Sequence, residues 1–445
     1  MSRMIRGMLL SAIGAAALSA SAGAQMLGLP ALPPVASLPV PAANLPVAGP
    51  LLQSILGQAG AQQAISPTLD TVGGLTANIA NSGGSNLLEL RRLRLNELIR
   101  ANRGTVESDG NGLPVRRGIV AVLNPDPMAL QGALRSGFRI AADRPDPILG
   151  LRVVSLATPN GMSAKNGLKL LAKVAPELQA DFDHLFEPAG GSLAPMAAPV
   201  AAFRGLGGRR AIGMIDGGVA SHPTLAGKSI EQNGFAGTPQ PTGHGTAVAS
   251  LLVGSQGPFQ GAASGAQLFV ADVYGGNRAA GSATAIVAAL GWLASHRPAV
   301  INISLVGPPN RLVQRAIQIV QSRGIQVVAA VGNDGPAAPP QYPASYPGVI
   351  AVTAVDAGGR ALPEAGKAAH LDFAAPGADM AAATPGNGYT RVRGTSFAAP
   401  LVAARLLAAG SPAALAAEAR PGKGRLGHGI VCGACRIDPR SVGLR

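Results

Sequence analysis

The chain has 445 residues, of which 47% are hydrophobic, 3% aromatic and 13% charged, and it contains 60 glycines. This apolar, glycine-rich composition excludes an intrinsically disordered chain and is typical of an α/β fold with many tight turns. The net charge of +14 raises the question of a nucleic-acid-binding protein. The sequence argues against that class, because the basic residues are scattered in pairs such as Arg116-Arg117 and few aromatic residues are present for base stacking.

The first 24 residues have the pattern of an export signal. Arg3 and Arg6 precede an apolar stretch, and Ala22-Gly23-Ala24 fits an A-x-A cleavage site. The apolar stretch is too short for a comfortable transmembrane anchor, and no later segment has the length and continuous apolarity of one. We therefore expect a protein that is exported to the periplasm or secreted, with no membrane span after signal removal.

The next segment, residues 25–85, is rich in Pro, Ala and Gly and is predicted to be a linker. Residues 86–102 have the pattern of an amphipathic helix. Its expected apolar side is formed by Leu88, Leu95 and Ile99. Its expected solvated side is formed by Arg91, Arg92 and Arg94.

Residues 117–188 are predicted to follow a β-α-β-β-α-β order. The strands are "RGIVAVL", "FRIAAD", "LRVVSLAT" and "QADFDHLFE", and the helices are "DPMALQGALRSG" and "SAKNGLKLLAKV". This order is the ferredoxin-like arrangement. Residues 189–208, rich in Gly, Ala and Pro, are predicted to be an exposed, flexible linker.

From residue 209 to residue 430, near-continuous apolar strands alternate with helices. The strands are "AIGMID", "AQLFVADV", "AVINISL", "IQVVAAVG" and "GVIAVTAV", and the helices are expected to begin near His244, Ser282, Asn310 and Thr395. The alternation predicts an α/β fold with a parallel sheet flanked by helices on both faces. Ligands bind beyond the carboxyl ends of the strands in such sheets. Three polar residues fall there: Asp216, Ser304 and Asn333.

Four residues of this region have an ordinary structural explanation when each is taken alone. Asp216 can begin a turn, Asn333 can occupy a left-handed turn, Ser396 can cap a helix, and His244 can be a capping or core residue. Together with His244, at the start of an apolar helix, they fit nucleophilic catalysis. A serine hydroxyl needs an imidazole to take its proton and a carboxylate to orient that imidazole, and the resulting oxyanion needs N–H donors.

With these residues in place, the chain resembles the subtilisin-like serine peptidases, the subtilase family, over about residues 209–430. Six blocks match in order: "MIDGGV…SHPTL", "GHGTAVAS", "INISLVG", "VVAAVGNDG", "YPASYPGVIAV" and "GTSFAAPLVA". The resemblance implies a serine endopeptidase that forms an acyl-enzyme. It implies Ser396 as nucleophile, His244 as general base and then general acid, Asp216 as orienting carboxylate and Asn333 as oxyanion donor.

The resemblance also implies a first specificity pocket. Its walls would be Ser304, Leu305, Val306 and Gly307 on one side and Ala330, Val331 and Gly332 on the other. Where this chain has Val306 and Val331, the family more often has Gly and Ala. We therefore expect a narrow pocket that prefers small residues such as Ala before the cut bond.

One residue of the Asp block departs from the family pattern. Subtilases usually carry Ser or Thr directly after the catalytic Asp, whereas this chain has Gly217. The substitution removes a hydroxyl that could support the carboxylate. We therefore expect Gly217 to affect the rate more than the mechanism.

Extracellular subtilases are often made with a β-α-β-β-α-β pro-domain that assists folding and inhibits the enzyme until it is cut off. By resemblance, residues 86–188 are a pro-domain with a leading helix, and residues 189–208 are the processing linker. An ordinary accessory domain is the alternative. The expected partners are protein or peptide substrates and the chain's own pro-domain. No cofactor is expected, and no metal, because no acidic run resembles a calcium loop.

The predicted C-terminal tail, residues 431–445, contains Cys432 and Cys435 in "CGAC". A redox motif would need a thioredoxin-like context, and a zinc site with the nearby His428 would still need a fourth ligand. A local disulfide formed after export is the expected state.

Two rival classes of function remain beside the peptidase. One is a catalytically weak protein that uses a subtilase fold for binding, which the intact triad and Asn333 disfavour. The other is a basic binding protein in which the triad is a coincidence, which the six ordered blocks disfavour.

Overall fold

The computed structural model describes residues 84–189 and 210–445. These residues lie within one compact unit, Ile65–Arg445. The predicted signal peptide and almost all of the two predicted linkers lie outside the described residues. None of the helices in the described ranges combines the length and apolarity needed to cross a membrane.

Residues 84–189 form a helix followed by a small sheet with two more helices. In chain order the elements are α1 (Gly84–Ala101), β1 (Val106–Ser108), β2 (Pro114–Leu123), α2 (Pro127–Arg135), β3 (Arg139–Asp146), β4 (Leu151–Ala157), α3 (Ala164–Val174), β5 (Gln179–His184) and β6 (Glu187–Pro188). The sheet has the order β5-β2-β4-β3, with β1 added beside β2, and every pairing in it is antiparallel. From β2 to β5 the chain order is β-α-β-β-α-β.

Local sequence explains where the two helices of this unit begin. The side chain of Asp126 caps α2, which has Pro127 at its first position, and the side chain of Ser163 caps α3. Leu130 of α2 and Leu171 of α3 are buried in one apolar cluster with residues of β2 and β4. This unit therefore has a core of its own.

The remainder of the chain is a larger α/β layer structure. In chain order its elements are β7 (Ala211–Asp216), β8 (Ile230–Gly234), α4 (Gly243–Val253), β9 (Ser255–Gln256), β10 (Phe259–Gln260), β11 (Gln267–Asp272), α5 (Ala283–His296), β12 (Val300–Ile303), β13 (Leu305–Val306), α6 (Arg311–Ser322), β14 (Gln326–Ala330), β15 (Ile350–Val355), β16 (Phe373–Pro376), β17 (Met380–Thr384), β18 (Gly388–Val392), α7 (Thr395–Ala409) and α8 (Pro412–Ala417). Seven strands form one parallel sheet in the order β16-β15-β14-β12-β7-β11-β8. The predicted parallel sheet is confirmed.

Helices cover both faces of this sheet. Apolar residues of α4 and α7 pack in one cluster, and those of α5 and α6 pack in the cluster on the other face. The helices α4, α5 and α6 begin where the sequence predicts. Each start is fixed by a side-chain cap, because Thr242, Ser282 and Asn310 each accept a hydrogen bond from an N–H of the first turn. Covering both faces explains why the strands are apolar throughout.

The leading helix α1 differs from the prediction in its buried side. Leu87, Leu95 and Leu98 are buried, whereas Leu88 is exposed. The expectation that the arginines face solvent is correct for Arg92, which pairs with Glu89 on the surface. It is wrong for Arg91 and Arg94, whose side chains pack against Asp334.

The C-terminal cysteines behave as predicted: Cys432 and Cys435 are joined by a disulfide. Across the described ranges, no group of three or more His, Cys, Asp or Glu side chains is arranged to hold a metal ion.

Candidate active site

Three polar side chains lie at the ends of a strand of the parallel sheet and of two helices that cover it. Asp216 is the last residue of β7, and His244 and Ser396 are each the second residue of a helix, α4 and α7. The His244 ring packs against the ring of Phe397, which follows Ser396, with 5.3 Å between centroids. The fold thus brings the three predicted catalytic residues to one place.

Asp216 and His244 form a buried pair. Nδ1 of His244 lies 2.9 Å from both carboxylate oxygens of Asp216, and both side chains are 0% exposed. A carboxylate on Nδ1 fixes the orientation of the imidazole and directs Nε2 away from it. In the described part of the chain, neither Nε2 of His244 nor Oγ of Ser396, both buried, has a hydrogen-bond partner.

At residue 217 a backbone N–H contacts the Asp216 carboxylate, in place of the Ser or Thr hydroxyl expected there. The Gly217 N–H donates to Oδ1 of Asp216 at 2.7 Å. A Cβ at residue 217 would lie 2.4 Å from Oγ1 and 2.7 Å from Cγ2 of Thr242. The side chain of Thr242, the cap of α4, therefore occupies the space that a serine at 217 would need.

Asn333 follows β14 and lies beside the start of α7. Its Oδ1 accepts a hydrogen bond from the N–H of Thr395 at 3.0 Å. Its Nδ2 donates to the backbone carbonyl of Ala189. The first bond fixes the orientation of the amide, and the second shows that the amide N–H reaches a peptide carbonyl near the start of α7, where a Cβ on Gly394 would lie 3.4 Å from the Ala189 oxygen.

That carbonyl belongs to the chain segment that follows the small sheet. Strand β6 pairs antiparallel with β13, so that Pro188 is opposite Leu305 and Glu187 is opposite Val306. The N–H of Ala189 donates to the carbonyl of Ser304 at 2.9 Å. The chain itself therefore occupies the cleft in an extended conformation, which brings the Ala189 carbonyl to Asn333.

Two residues of the predicted specificity-pocket walls pack in the same cluster as this segment. Val306 and Ala330 belong to the same buried cluster as Ala189. A Cβ on Gly332 would lie 3.2 Å from Cγ1 of Val306, so the two walls approach each other closely. Leu305 and Val331 instead pack in the cluster on the other face of the sheet. The narrowness that the sequence predicts therefore depends on Val306 and not on the side chain of Val331.

The other two wall residues have further contacts. Oγ of Ser304 donates to the carbonyl of Ser396 at 2.9 Å. A Cβ on Gly307 would lie 2.5 Å from the ring of Phe186, just before β6. Glycine at 307 thus allows the segment that enters the cleft to pack closely.

Asp272 is a second carboxylate near the pair, and sequence reasoning missed it. It is opposite Asp216 in the β11–β7 register and is 0% exposed. It accepts hydrogen bonds from the N–H groups of Gln240, Tyr274 and Gly275. Burial raises the pKa of Asp272, against the effect of these bonds, and the charge of Asp216 adds to the rise.

Arg94 and Asp334 were also missed as partners. Burial lowers the pKa of the Arg94 guanidinium, but the nearby Glu187 and Asp334 carboxylates outweigh it and raise the pKa overall. The charged form of Arg94 is therefore strongly favoured beside the cleft. No local pattern in the sequence signals a pair that joins α1 to the loop after β14.

Comparison with known proteins agrees with this architecture. Residues 207–415 match the model of the Subtilase family. Over 212 residues the chain is 35% identical to Subtilisin Savinase from Lederbergia lenta, covering 46% of this chain and 78% of that protein. It is also 35% identical over 212 residues to an alkaline protease from Alkalihalobacillus alcalophilus, of which the match covers 55%.

Among solved structures, fervidolysin from Fervidobacterium pennivorans, a keratinolytic enzyme related to subtilisin, is similar with a TM-score of 0.60 and 20% sequence identity. That match covers 72% of this chain and 61% of fervidolysin, and at this identity it supports the fold alone. The family match and the similarity to Savinase carry the assignment: the chain belongs to the subtilase family and is a serine endopeptidase.

Proposed function

We propose that the chain hydrolyses peptide bonds through an acyl-enzyme, with Ser396 as nucleophile, His244 as general base and Asp216 as the orienting carboxylate. Asn333 donates to the oxyanion. The observation that carries this proposal is the hydrogen bond from Nδ2 of Asn333 to the carbonyl of Ala189, a peptide carbonyl that lies near Gly394 at the start of the helix carrying Ser396.

The proposed steps are those of a Ser-His-Asp triad. Oγ of Ser396 attacks the carbonyl carbon while Nε2 of His244 takes its proton, and Asp216 stabilises the imidazolium. The oxyanion accepts hydrogen bonds from Nδ2 of Asn333 and from the Ser396 N–H, which lies in the first turn of α7 and needs no intrahelical acceptor. His244 then protonates the leaving amine, and water hydrolyses the acyl-enzyme by the reverse sequence.

The test is inactivation by a serine-directed phosphonate, together with Ser396→Ala. We expect stoichiometric labelling of Ser396 and a loss of turnover on the order of a million-fold in Ser396→Ala, the magnitude known for the equivalent change in subtilisin. Ser322→Ala, at the exposed end of α6, is the matched control and should keep full activity. A Ser396→Ala protein that digests casein at the wild-type rate would show that the fold serves binding and that its catalysis lies elsewhere.

We also propose that residues 86–188 are a pro-domain and an intramolecular inhibitor. Asp183 accepts hydrogen bonds from the N–H and Oγ1 of Thr284 at 2.9 and 3.0 Å, and Asp181 accepts one from the N–H of Arg311 at 2.8 Å. Strand β5 thus places one carboxylate at the N-terminus of α5 and another at that of α6. Negative charge is favoured at both places.

The leading helix adds a second attachment. Arg91 and Arg94 bind Asp334, and Arg94 also lies 3.3 Å from Glu187 in the segment that occupies the cleft. These contacts support a pro-domain that is attached to the enzyme at four places: the N-termini of α5 and α6, the loop after Asn333 and the cleft. Within this proposal residues 1–24 direct export, residues 189–208 are the processed linker, and proteins or peptides are the substrates.

A further inference from the structure

A partly buried ion pair lies between the segment that leads into α7 and the loop that contacts the backbone on both sides of Asn333. NH2 of Arg393 donates to Oε2 of Glu364 at 3.0 Å, and Nε of Arg393 lies 2.6 Å from Oε1. The Glu364 side chain is 4% exposed and that of Arg393 is 34% exposed. The NH2 contact is a hydrogen bond, whereas the Nε contact is a close charge contact without hydrogen-bond geometry. The guanidinium is therefore held against the carboxylate by one hydrogen bond and by charge.

The backbone around Glu364 holds the Asn333 loop on both sides. The carbonyl of Glu364 accepts the N–H of Gly335 at 2.9 Å, and the N–H of Gly366 donates to the carbonyl of Gly332 at 2.7 Å. A Cβ on Gly366 would lie 2.4 Å from the carbonyl oxygen of Val331, so the two segments are in close contact. A shift of residues 364–366 would therefore move Asn333.

The backbone that follows Arg393 also contacts the Asn333 loop. Two residues further on, the N–H of Thr395 donates to Oδ1 of Asn333 at 3.0 Å, and Oγ1 of Thr395 accepts the N–H of Gly332 at 3.1 Å. The next residue is Ser396. The Arg393–Glu364 pair thus joins the segment that carries the nucleophile to the loop that supports the oxyanion donor.

We propose that Glu364 and Arg393 are positioning residues of the peptidase reaction, an inference that rests on the proposed role of Asn333. The pair holds Nδ2 of Asn333 at a fixed place relative to Ser396, without touching the substrate. Breaking the pair lets the two segments separate and weakens the hydrogen bond to the oxyanion. A displacement of about 1 Å at such a group can lower the rate on the order of a hundred-fold.

The experiment is a double-mutant cycle with Asn333. Full-length protein is allowed to mature, active sites are counted with a serine-directed phosphonate, and kcat and KM are measured with a peptide that has Ala before the cut bond. Glu364→Gln should lower kcat by about ten- to a hundred-fold with KM changed less than about twofold. In the Asn333→Ala background the same change should lower kcat less than about twofold, because the group that the pair positions is already absent.

A merely structural role would give the same loss of kcat in both backgrounds, and that result would overturn the inference. Arg393→Lys keeps the charge but not the planar guanidinium, so it should lose less activity than Glu364→Gln and serves if the latter does not fold. The matched control is Glu418→Gln, which removes the surface pair of Glu418 with Arg405 and should leave kcat and KM unchanged.

The outcomes also separate this inference from the proposed function. If Asn333→Ala itself leaves kcat unchanged, the proposed oxyanion role fails. If Asn333→Ala lowers kcat and Glu364→Gln, as a folded protein, does not, only the positioning role fails.

Discussion

Arg94 and Asp334, 240 residues apart in the chain, are joined by three hydrogen bonds of 3.0, 3.0 and 3.4 Å. Arg91 adds a fourth bond to Asp334, at 3.0 Å. Since Asp334 directly follows Asn333, helix α1 is attached to the loop that carries the proposed oxyanion donor. The two arginines and Asp334, which we call the latch, are mostly buried.

We expect the latch to delay release of the cut pro-domain. In full-length protein, Arg91→Ala with Arg94→Ala should shorten the lag between self-cleavage and full activity by about tenfold or more, because truncating buried charge pairs mainly speeds dissociation. The lag is measured as the delay in peptide hydrolysis after the cut appears on a gel. Arg92→Ala, which removes only the exposed pair with Glu89, should leave the lag unchanged, and an unchanged lag in the double variant would contradict the latch.

The position of Ala189 predicts the bond that the enzyme cuts in its own chain. The Ala189 carbonyl is bonded to Asn333, so self-cleavage should release a mature protein that begins at Gly190. N-terminal sequencing of mature wild-type protein checks this, and Ser396→Ala should remain joined across the same bond. A mature N-terminus beyond residue 195 would show that the segment in the cleft is not the one processed first.

The close approach of Val306 to Gly332 predicts a preference for small residues before the cut bond. In wild-type enzyme, peptides with Ala at that position should be cleaved about ten- to a hundred-fold faster than peptides with Phe, because one methylene in a tight pocket changes discrimination by about 1–3 kcal/mol. Val306→Gly should accept Phe. Val331→Ala is the matched control, since its side chain lies on the other face of the sheet. Faster cleavage of Phe peptides by the wild type, unchanged in Val306→Gly, would rule the narrow pocket out.

Restoring the family's hydroxyl at residue 217 should harm this enzyme. Gly217→Ser places a Cβ 2.4 Å from Oγ1 of Thr242, and overpacking of this kind costs about 1–3 kcal/mol. Stability is measured by thermal unfolding in the Ser396→Ala background and activity in the active enzyme. Adding Thr242→Gly, which removes the clash and keeps most of the capping preference, should recover part of both. A stable and fully active Gly217→Ser single variant would show that the space is not limiting.

The raised pKa of Asp272 predicts a pH-dependent difference in stability. A raised folded-state pKa means that the native protein holds a proton that the unfolded chain loses at lower pH, so stability from this group falls as the pH rises above the ordinary value of 3.8. Asp272→Asn removes this titration. The free energy of unfolding of the variant relative to the wild type, both in the Ser396→Ala background, should therefore improve with rising pH. A difference that stays constant from pH 4 to pH 8 would contradict the prediction.

Local sequence patterns were sufficient to predict the parallel sheet. They also predicted that Asp216 ends a strand and that His244 and Ser396 lie at the starts of helices. Thr242, Ser282 and Asn310 mark helix starts because a cap acts within one turn, and strands buried on both faces are continuously apolar. The edge strands β8 and β16 escaped prediction because "IEQNG" is mostly polar and "FAAP" is short. A pattern of only a few neighbouring residues does not distinguish such edge strands from loops.

The missed contacts share one property: their partners are far apart in the chain. The burial of Arg94 is set by Asp334, the pairing of β6 is set by β13, and the neighbour of Asp216 on β11 is set by sheet register. Similarly, Val331 was assigned to the pocket from its place in the block, but alternation along the chain turns its side chain to the other face. These contacts depend on tertiary packing, and the spacing of residues along the chain does not determine it.

The pairing of β6 with β13 has a consequence for where activity can arise. Before the bond after Ala189 is cut, the segment that occupies the cleft is covalently joined to the enzyme. Dilution therefore does not remove it, however large the surrounding volume. Once the bond is cut, rebinding depends on the concentration of free pro-domain. In the proposed zymogen, dilution therefore favours activation. At high protein concentration the cut pro-domain rebinds and the clefts stay blocked, and the same molecules become active when export disperses them into a larger volume.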